Sequence, residues 1–465
     1  MFEKNLSRRE FLRKAAVTGA GLALAGCAPK VVKETVVVEK EVEKTVEKVV
    51  TATPAMIEPT EVLHWNWLSA SDAEVWQSVI DDFNDANENT QIRMELVPDA
   101  EWATKVMPAV AAGVGPDFGW AAPAAGLEPD FVDKGILVPL DDLAHDVGLD
   151  MDDFAEGPLN VCRYAAFDNK LYGIPLDVMT MALEINADHA QEAGLDIENP
   201  PQTGEELLEW ADAMTVREGD KVVRSGMLMG PSIQNTVVWG IVSGQMGYKR
   251  VSDDLKTACV NPEAGKEAMQ WIYDLYEKHK VSTLEVTDRY KAFGVGQGSM
   301  FITGPWTVSG YLEAGVNYIS IHVPKIGKEQ KTYLEVGSLG LYTQPDTSRY
   351  ATTMQAVKWL SDNSFKWTTE GRGAAARKSV LSRADYQTSG LPWAQRGAFV
   401  DEKALEMATI PIGYGLTEGG FDFIIYAGEN YLAQTLDSVW YGEKSIDEAM
   451  DLICQKYQEH LDAAA

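Results

Sequence analysis

Residues 293–306 read FGVGQGSMFITGPW, and the local structure of this stretch decides between two classes of protein. Gly294, Gly296 and Gly298 form the G-x-G-x-G pattern that nucleotide-binding enzymes place around phosphate groups. A phosphate-binding loop must follow a strand and open a helix, because the helix N-terminus then faces the phosphates. Here the order is reversed, since the glycines follow a helical stretch and precede the alternating segment SMFIT. The stretch is therefore predicted to be a helix, a tight turn and a strand that ends at Trp306.

Strands and helices alternate along the rest of the chain. The segments EVLHWNW (61–67) and QIRMELV (91–97) are predicted strands, with an apolar helical stripe at 72–86 between them. The segment GVGPDFGWAAP (113–123) is predicted to be a glycine-rich turn and a third strand that ends at Trp120. Further helices are predicted at 233–246 and 263–278, and PPQTGEELLEWA carries a capping box at Thr203 and Glu206. This alternation predicts parallel βαβ units. Because ~400 residues exceed what one compact core accommodates, at least two lobes are expected.

The composition argues against several partners and reactions. Seventy acidic residues against 40 lysines and arginines give a net charge of −30, which opposes binding to nucleic acid or to anionic lipid. The six histidines have no metal-ligand spacing, and the chain contains no G-x-S-x-G, H-E-x-x-H, P-loop or kinase motif. We therefore expect no catalytic residue, no metal and no cofactor.

The cysteines do not predict a disulfide framework. Cys162, Cys259 and Cys454 form no C-x-x-C pair, and their number is odd once Cys27 is set aside. Cys454 shares a predicted helical face with apolar residues, so we expect it to be a buried, inert thiol.

The N-terminal region carries export and anchoring signals. Residues 7–14 (SRREFLRK) form a twin-arginine signal, and the apolar stretch at 15–25 is shorter than the ~20 residues of a membrane span. The sequence LAGC at 24–27 resembles a bacterial lipobox, in which Cys27 is acylated and becomes the mature N-terminus. Residues 1–27 are thus a predicted signal, and the charged residues 28–60 a stalk. The protein is expected outside the cytoplasm, lipid-anchored to the bacterial cell membrane.

Tryptophans at the carboxyl ends of strands are candidate ligand contacts. Trp67, Trp120 and Trp306 have this position, where open parallel sheets bind their ligands. An aromatic face suits the C–H face of a pyranose ring, and neighbouring polar side chains can bind the hydroxyl groups. Trp306 is predicted to contact the ligand, whereas Trp67 and Trp120 fit ligand contact and core packing equally. Trp239, near the start of an apolar helix, could face either a core or a cleft.

Motifs spread over most of the chain resemble the extracellular solute-binding proteins of bacterial ABC importers, in the carbohydrate-binding family that includes maltodextrin-binding protein. They occur in the family's order: FN, GVGPDFGW, GILVPLDDL, LYGIPLD with EINAD, PPQTGEELLEWA, GQGSMFITGPW, VKWLSD and GEKSIDEAM. The most specific is MFITGPW at 300–306, because maltodextrin-binding proteins also have Gly-Pro-Trp there, with a tryptophan that stacks on sugar. Residues 121–125 and 178–181 depart from the maltodextrin pattern and indicate a different or more apolar ligand face.

The resemblance implies an α/β fold of two discontinuous lobes, the type II periplasmic-binding-protein fold. Residues 61–175 with 335–372 would form one lobe and residues 176–334 with 373–465 the other, with the ligand between them and hinge closure around it. Asp117 is expected as a structural cap. Arg372 and Arg377 are expected either to line a third crossing near residues 371–379 or to have solvated or hinge salt-bridge roles. The predicted ligand contacts, including Trp239 from its position, are Trp67, Ser69, Asp72, Trp120, Asp177, Met179, Trp239, Gly304, Trp306, Gly337, Ser338, Tyr414 and Glu418.

The leading hypothesis is a monomeric, membrane-tethered receptor without enzymatic activity. It would capture a sugar or oligosaccharide and deliver it to the permease subunits of an ABC importer. One alternative is a binding protein for a non-sugar polar solute such as a polyamine, which requires several carboxylates converging in the cleft. The other is a secreted carbohydrate-active enzyme, which requires two carboxylates about 5–10 Å apart beside the sugar.

Overall fold

The computed structural model describes residues 59–68, 70–98, 101–121, 128–164, 168–230, 233–252, 256–370, 373–411 and 431–464. In these ranges the helices are α1 (Ala70–Ala86), α2 (Trp102–Ala111), α3 (Glu128–Asp133), α4 (Asp141–Asp146), α5 (Glu156–Val161), α6 (Ala187–Glu192), α7 (Gly204–Met214), α8 (Ile233–Met246), α9 (Pro262–Glu277), α10 (Arg289–Gly294), α11 (Val308–Glu313), α12 (Tyr350–Asp362), α13 (Phe365–Glu370), α14 (Lys378–Leu381), α15 (Trp393–Val400), α16 (Glu402–Met407), α17 (Tyr431–Trp440) and α18 (Ile446–Ala464). The strands are β1 (Thr60–Asn66), β2 (Thr90–Leu96), β3 (Phe118–Ala121), β4 (Arg163–Tyr164), β5 (Lys170–Leu171), β6 (Ile174–Met179), β7 (Ala182–Asn186), β8 (Val216–Glu218), β9 (Lys221–Met227), β10 (Lys249–Val251), β11 (Ala258–Val260), β12 (Gly298–Thr303), β13 (Tyr318–His322), β14 (Thr332–Leu341), β15 (Ala374–Ala375) and β16 (Ala408–Pro411). None of the described helices is long and apolar enough to cross a bilayer.

The first sheet has the strand order β15-β6-β14-β3-β1-β2, with β16 added to β14. The predicted strands β1, β2 and β3 are parallel to one another, as the βαβ pattern requires. Strand β14, from a distant part of the chain, runs antiparallel to both β3 and β6. We refer to this sheet and the helices on it as the first lobe.

Helix α1 shows why the apolar stripe predicted a helix. Trp76, Val79, Ile80 and Phe83 are all buried in the core of the first lobe, on one face of α1. The Trp76 indole Nε1 donates a hydrogen bond to Nε2 of the buried His64, 2.9 Å away. Burial lowers the pKa of His64 to about 3, despite a hydrogen bond to the Phe118 carbonyl, so this imidazole is a neutral core group.

The second sheet has the order β13-β7-β12-β9-β8 and forms the second lobe with its helices. Strand β7 pairs antiparallel with β12 and β13, while β12 is parallel to β9. Helix α7 begins with the predicted capping box, in which Thr203 accepts from the Glu206 amide and the Glu206 carboxylate accepts from the Thr203 amide. Helix α8 spans the predicted residues 233–246.

The chain crosses between the sheets at different points from those expected. All of β6 pairs with β14, up to Met179 opposite Glu335, so the first crossing lies at 180–181 and not after residue 175. The return crossing is the segment between β13 and β14, where the Gln245 side chain bonds the Pro324 and Lys331 carbonyls and the Ile326 amide. Strands β15 and β16 pair with β6 and β14, so residues 374–375 and 408–411 extend the first sheet. Helix α15 lies between them in the chain and contacts the second sheet, where Gln395 donates a hydrogen bond to the Tyr318 carbonyl of β13.

A disulfide joins Cys259 on β11 to Cys454 on α18 across 195 residues of sequence. The expectation that Cys454 is an inert thiol was therefore wrong. Cys162 is a buried free cysteine in the first lobe. The helical face around Cys454 is apolar as predicted, but its sulfur meets β11, a contact between parts of the chain that no local spacing indicates.

Candidate functional site

The stretch at 293–306 folds as a helix, a turn and a strand, which confirms the order predicted from its sequence. Helix α10 ends at Gly294, Gly296 adopts a positive φ of 75° in the turn, and every residue of β12 is buried. After β12, Gly304 leads into a 3-10 turn at Pro305–Thr307 that carries Trp306. Trp306 is half-buried, so the strand delivers one aromatic side chain to the surface.

Neighbouring groups fix the orientation of the Trp306 indole. Its Nε1 donates a hydrogen bond to the Tyr290 hydroxyl of α10 at 3.2 Å. The same hydroxyl accepts from Arg289, whose guanidinium lies 4.4 Å from the centre of the Tyr290 ring. The ring of Trp306 lies directly over Gly304, where an added Cβ would stand 2.1 Å from Cζ3. Glycine at 304 is thus required by the position of the indole.

Replacing Gly304 with alanine is expected to push the Trp306 ring out of its position. A Cβ at this distance cannot coexist with the ring, so either the indole or the turn must move. We expect a changed Trp306 environment and at least tenfold weaker ligand binding, measured by calorimetry and fluorescence. Gly157→Ala is the matched control, since its Cβ would meet only Leu334 at 3.8 Å. Unchanged affinity in Gly304→Ala would show that the ring's position is irrelevant to binding.

A cavity of about 410 Å³ lies against Trp306 between α10 and α11. Aromatic rings of Tyr290, Trp306 and Tyr311 form part of its wall, with Thr307 and Lys291 as polar neighbours. Flat aromatic faces beside a few hydrogen-bonding groups are suited to sugar rings, which have apolar C–H faces and polar edges. Tyr290 and Tyr311 were not predicted as site residues, because helix periodicity alone gives no sign that they approach Trp306.

Two of the predicted tryptophans are core residues. Trp120 is 1% exposed and packs edge-on against Trp76 and Trp367, with ring centres 5.6 and 5.7 Å away. Trp239 is fully buried in the second lobe, and its Nε1 already donates to the Gly265 carbonyl at 3.0 Å. Neither side chain presents a surface to a ligand in this structure, so both expectations are corrected in favour of core packing.

The predicted contacts at the first crossing are also buried. The carboxylate of Asp177 accepts hydrogen bonds from the Gly337 amide and the Trp367 indole, inside the first lobe. Gly337 permits this approach, since a Cβ there would lie 2.3 Å from Asp177 Oδ1. Met179, Ser338 and Asp72 are buried as well. Asp177 and Gly337 therefore hold β6, β14 and α13 together and are reassigned from ligand contact to structure.

Trp67 remains at the boundary between core and surface. It is half-buried and meets the fully buried Trp102 edge-on, with ring centres 4.8 Å apart. The Trp102 Nε1 has no hydrogen-bond partner among the described residues. Trp102 opens α2 and was missed in the sequence, because its place beside Trp67 depends on tertiary packing.

Two charged residues have the structural roles that the sequence allowed. Asp117 accepts from the Leu63 amide and from the Arg349 guanidinium, and its side chain is nearly buried. Arg377 is buried and pairs with Asp153 at 2.9 Å, which resolves its alternatives in favour of a salt bridge. Burial alone would raise the pKa of Asp153, but hydrogen bonds from Ser379 and Arg377 outweigh it and lower that pKa.

The predicted residues that lie outside the described ranges are Cys27, Ser69, Arg372, Tyr414 and Glu418.

Two helix-covered sheets joined by crossing strands define the class of two-lobed α/β binding proteins, the type II periplasmic-binding-protein fold. The family described as bacterial extracellular solute-binding protein matches residues 78–391, and the chain belongs to this family. Membership of an extracellular family places the protein outside the cytoplasm. The maltotriose-binding protein of Pyrococcus abyssi is 23% identical over 308 residues, covering 65% of this chain and 63% of that protein. The match thus spans less than two thirds of the relative's own length.

Solved structures support the fold. The GacH receptor of Streptomyces glaucescens, determined unliganded and with acarbose, superposes with a TM-score of 0.72 at 21% identity, covering 87% of this chain and 99% of that one. UgpB from Mycobacterium tuberculosis, in complex with glycerophosphocholine, gives a TM-score of 0.73 at 16% identity, covering 87% and 98%. At such low identity these likenesses establish the architecture and not the ligand.

Proposed function

We propose that the protein is the receptor of an ABC importer and binds a sugar or oligosaccharide between its lobes. The observation that carries the proposal is the Trp306 turn, where a glycine and a tyrosine hold one indole at the end of β12 beside an aromatic-walled cavity. Its relatives support the ligand class, since they include a maltotriose-binding and a galactooligosaccharide-binding protein. The receptor releases its ligand to the permease subunits and acts as a monomer without catalysis.

The export and anchoring signals complete this proposal. The twin-arginine signal directs the folded chain outward, and acylated Cys27 tethers it to the cell membrane by a stalk of residues 28–60. The Cys259–Cys454 disulfide supports an oxidising location outside the cytoplasm. Among the predicted contacts, Trp67, Ser69, Gly304, Trp306, Tyr414 and Glu418 remain proposed ligand-binding residues.

A non-sugar polar solute is the second candidate, because a protein of this fold, UgpB, was determined with glycerophosphocholine. A polyamine would require carboxylates that point at the ligand. The buried carboxylate of Asp177 is engaged by Gly337 and Trp367, which weakens the polyamine reading at the first crossing.

A calorimetric titration of the purified protein with a ligand panel tests the function. The panel contains glucose, maltose, maltotriose, a galactooligosaccharide, glycerophosphocholine and spermidine. We expect saturable one-to-one binding of at least one sugar, with the sugar recovered chemically unchanged after prolonged incubation. Binding only of glycerophosphocholine or spermidine would reject the sugar proposal, and cleavage of an oligosaccharide would reject the receptor role.

A further inference from the structure

Glu184 is a carboxyl group buried beneath the Trp306 turn. It lies in the middle of β7, opposite Phe301 of β12 and Ser320 of β13, and is fully buried. Its Oε1 is 2.7 Å from the Thr307 hydroxyl, in the same 3-10 turn as Trp306. Its Oε2 has no hydrogen-bond partner among the described residues. An ionised carboxylate in this position would lack the partners that a buried charge requires.

The hydrogen bonds of Thr307 indicate where a proton lies. The Thr307 hydroxyl oxygen is also 3.1 Å from the Gly304 carbonyl, which can only accept. One hydroxyl hydrogen cannot serve both a carboxylate and a carbonyl well. A neutral Glu184 removes the conflict, because its O–H donates to Thr307 and the Thr307 O–H donates to Gly304. The chain Glu184–Thr307–Gly304 then ties β7 to both ends of the turn.

The surroundings of Glu184 favour the neutral acid. The charged and titratable groups on the neighbouring elements are Asp188, His189 and Glu192 of α6, Arg289, Tyr290 and Lys291 of α10, Tyr311 and Glu313 of α11, Tyr318 and His322 of β13, Arg396 of α15 and the adjoining Asp401.

Lys291 is exposed, and the other basic groups of this set bond elsewhere, with the His189 Nδ1 3.0 Å from the Ser299 hydroxyl. Arg289 lies on the Tyr290 ring, and Arg396 donates to the carbonyls of Tyr386 and Ser389. His322 pairs with Asp401 at 2.8 Å. Burial raises the pKa of Glu184 to about 8, although the Thr307 hydrogen bond acts in the opposite direction.

We propose that Glu184 is a positioning residue for Trp306, whose neutral carboxyl group fastens the turn through Thr307 and whose ionisation releases it. The inference rests on the proposed role of Trp306 in ligand binding. The folded protein holds this proton up to a pH of about 8, whereas the unfolded chain loses it near 4.5. The contribution of Glu184 to stability is therefore fully present below pH 4.5 and is lost as pH rises through about 8. Ligand affinity should fall only as the pH approaches about 8, where Glu184 ionises in the folded protein.

The pH profile of Trp306 itself tests the proposal without any ligand. The full chain is labelled with 5-fluorotryptophan, and the ¹⁹F resonance of Trp306 is assigned with Trp306→Phe. In the wild type we expect this resonance to titrate with a midpoint near pH 8. Glu184→Gln retains a donor to Thr307 but cannot ionise, so its Trp306 resonance should not change over that range. The same titration in wild type and Glu184→Gln would overturn the inference.

Thr307 provides a second pair of variants in case Glu184→Gln does not fold. Thr307→Ser keeps the hydroxyl group, so the ¹⁹F resonance of Trp306 should still change near pH 8 in this variant. In Thr307→Val, which lacks the hydroxyl group, this change should be absent. The same pH dependence of the Trp306 resonance in Thr307→Ser and Thr307→Val would also overturn the inference.

Ligand binding separates this proposal from the proposed function. With maltotriose as the probe, we expect the dissociation constant of the wild type to rise about tenfold from pH 7 to pH 9, since the competent fraction falls by that factor around a pKa of about 8. Glu184→Gln should bind equally at both values. The ¹⁹F resonance of Trp306 could change with pH in the wild type and not in Glu184→Gln, while none of the panel sugars binds at either pH. That result would support the positioning role of Glu184 and reject the sugar-binding function.

Discussion

Removal of the Cys259–Cys454 disulfide is expected to lower the free energy of unfolding by about 2–5 kcal/mol. The bond closes a loop of 195 residues, so it restricts the unfolded chain far more than a short crosslink would. It also fastens α18 to β11 at the edge of the second lobe's core, which contains Met450, Ile453 and Tyr457 from α18. Chemical denaturation of oxidised and reduced protein measures the difference.

The double variant Cys259→Ala/Cys454→Ala provides the control for the reductant. Its unfolding midpoint should match that of the reduced wild type and should not respond to dithiothreitol. Cys162 is a buried free thiol, so Cys162→Ala should retain the full response to reduction. An unreduced, denatured wild type in which both Cys259 and Cys454 react with a thiol reagent would show that the bond is absent.

Replacing Arg349 with methionine is expected to cost about 3–5 kcal/mol of stability, because it leaves a buried carboxylate without its charged partner. Arg349 donates from both Nε and Nη2 to Asp117 at 2.6 Å and also to the Glu61 carbonyl. The Asp117 side chain is only 5% exposed. In the Arg349→Met variant, the Asp117 carboxylate keeps the hydrogen bond from the Leu63 amide but has lost both hydrogen bonds from the guanidinium.

Arg93→Met is the matched control, because Arg93 also pairs with Glu61 but at an exposed position on β2. Surface ion pairs contribute about 1 kcal/mol or less, so this variant should unfold close to the wild type. Urea denaturation of the three proteins gives the comparison. Equal unfolding midpoints for Arg349→Met and Arg93→Met would contradict the assigned role of Arg349 as the partner of the buried Asp117 carboxylate.

The parts of the fold that depend on short-range patterns could be predicted from the sequence. The stripe of α1, the capping box of α7 and the helix–turn–strand order before Trp306 each follow from spacing within about a dozen residues. The Gly-Pro-Trp motif could be interpreted from the sequence because its glycine is sterically required. The Trp306 indole lies over Gly304 and leaves no room for a Cβ.

The misassigned residues depend on information that local patterns lack. A position at the end of a strand predicts the edge of the sheet at which a side chain lies, but not the face of the sheet from which it projects. Trp120 projects from the same face of β3 as Phe118, two residues earlier, and both lie in the core of the first lobe. Asp177 was expected in the cleft, but β14 and α13 converge on it from distant parts of the chain. The partner of Cys454 and the position of Glu184 beneath the Trp306 turn also depend on contacts between distant parts of the chain, so local patterns do not predict them.

The claim that Trp306 is the stacking residue of a sugar receptor is tested most directly by one titration. The sugar that the panel identifies is titrated calorimetrically into the wild type, Trp306→Ala and Trp306→Phe, with urea unfolding as a check that each variant is folded. We predict that Trp306→Ala weakens binding by about 30-fold or more, as the loss of a central aromatic contact costs about 2 kcal/mol or more. Trp306→Phe, which keeps an aromatic face, should lose much less. A folded Trp306→Ala that binds the same sugar with wild-type affinity would contradict the account.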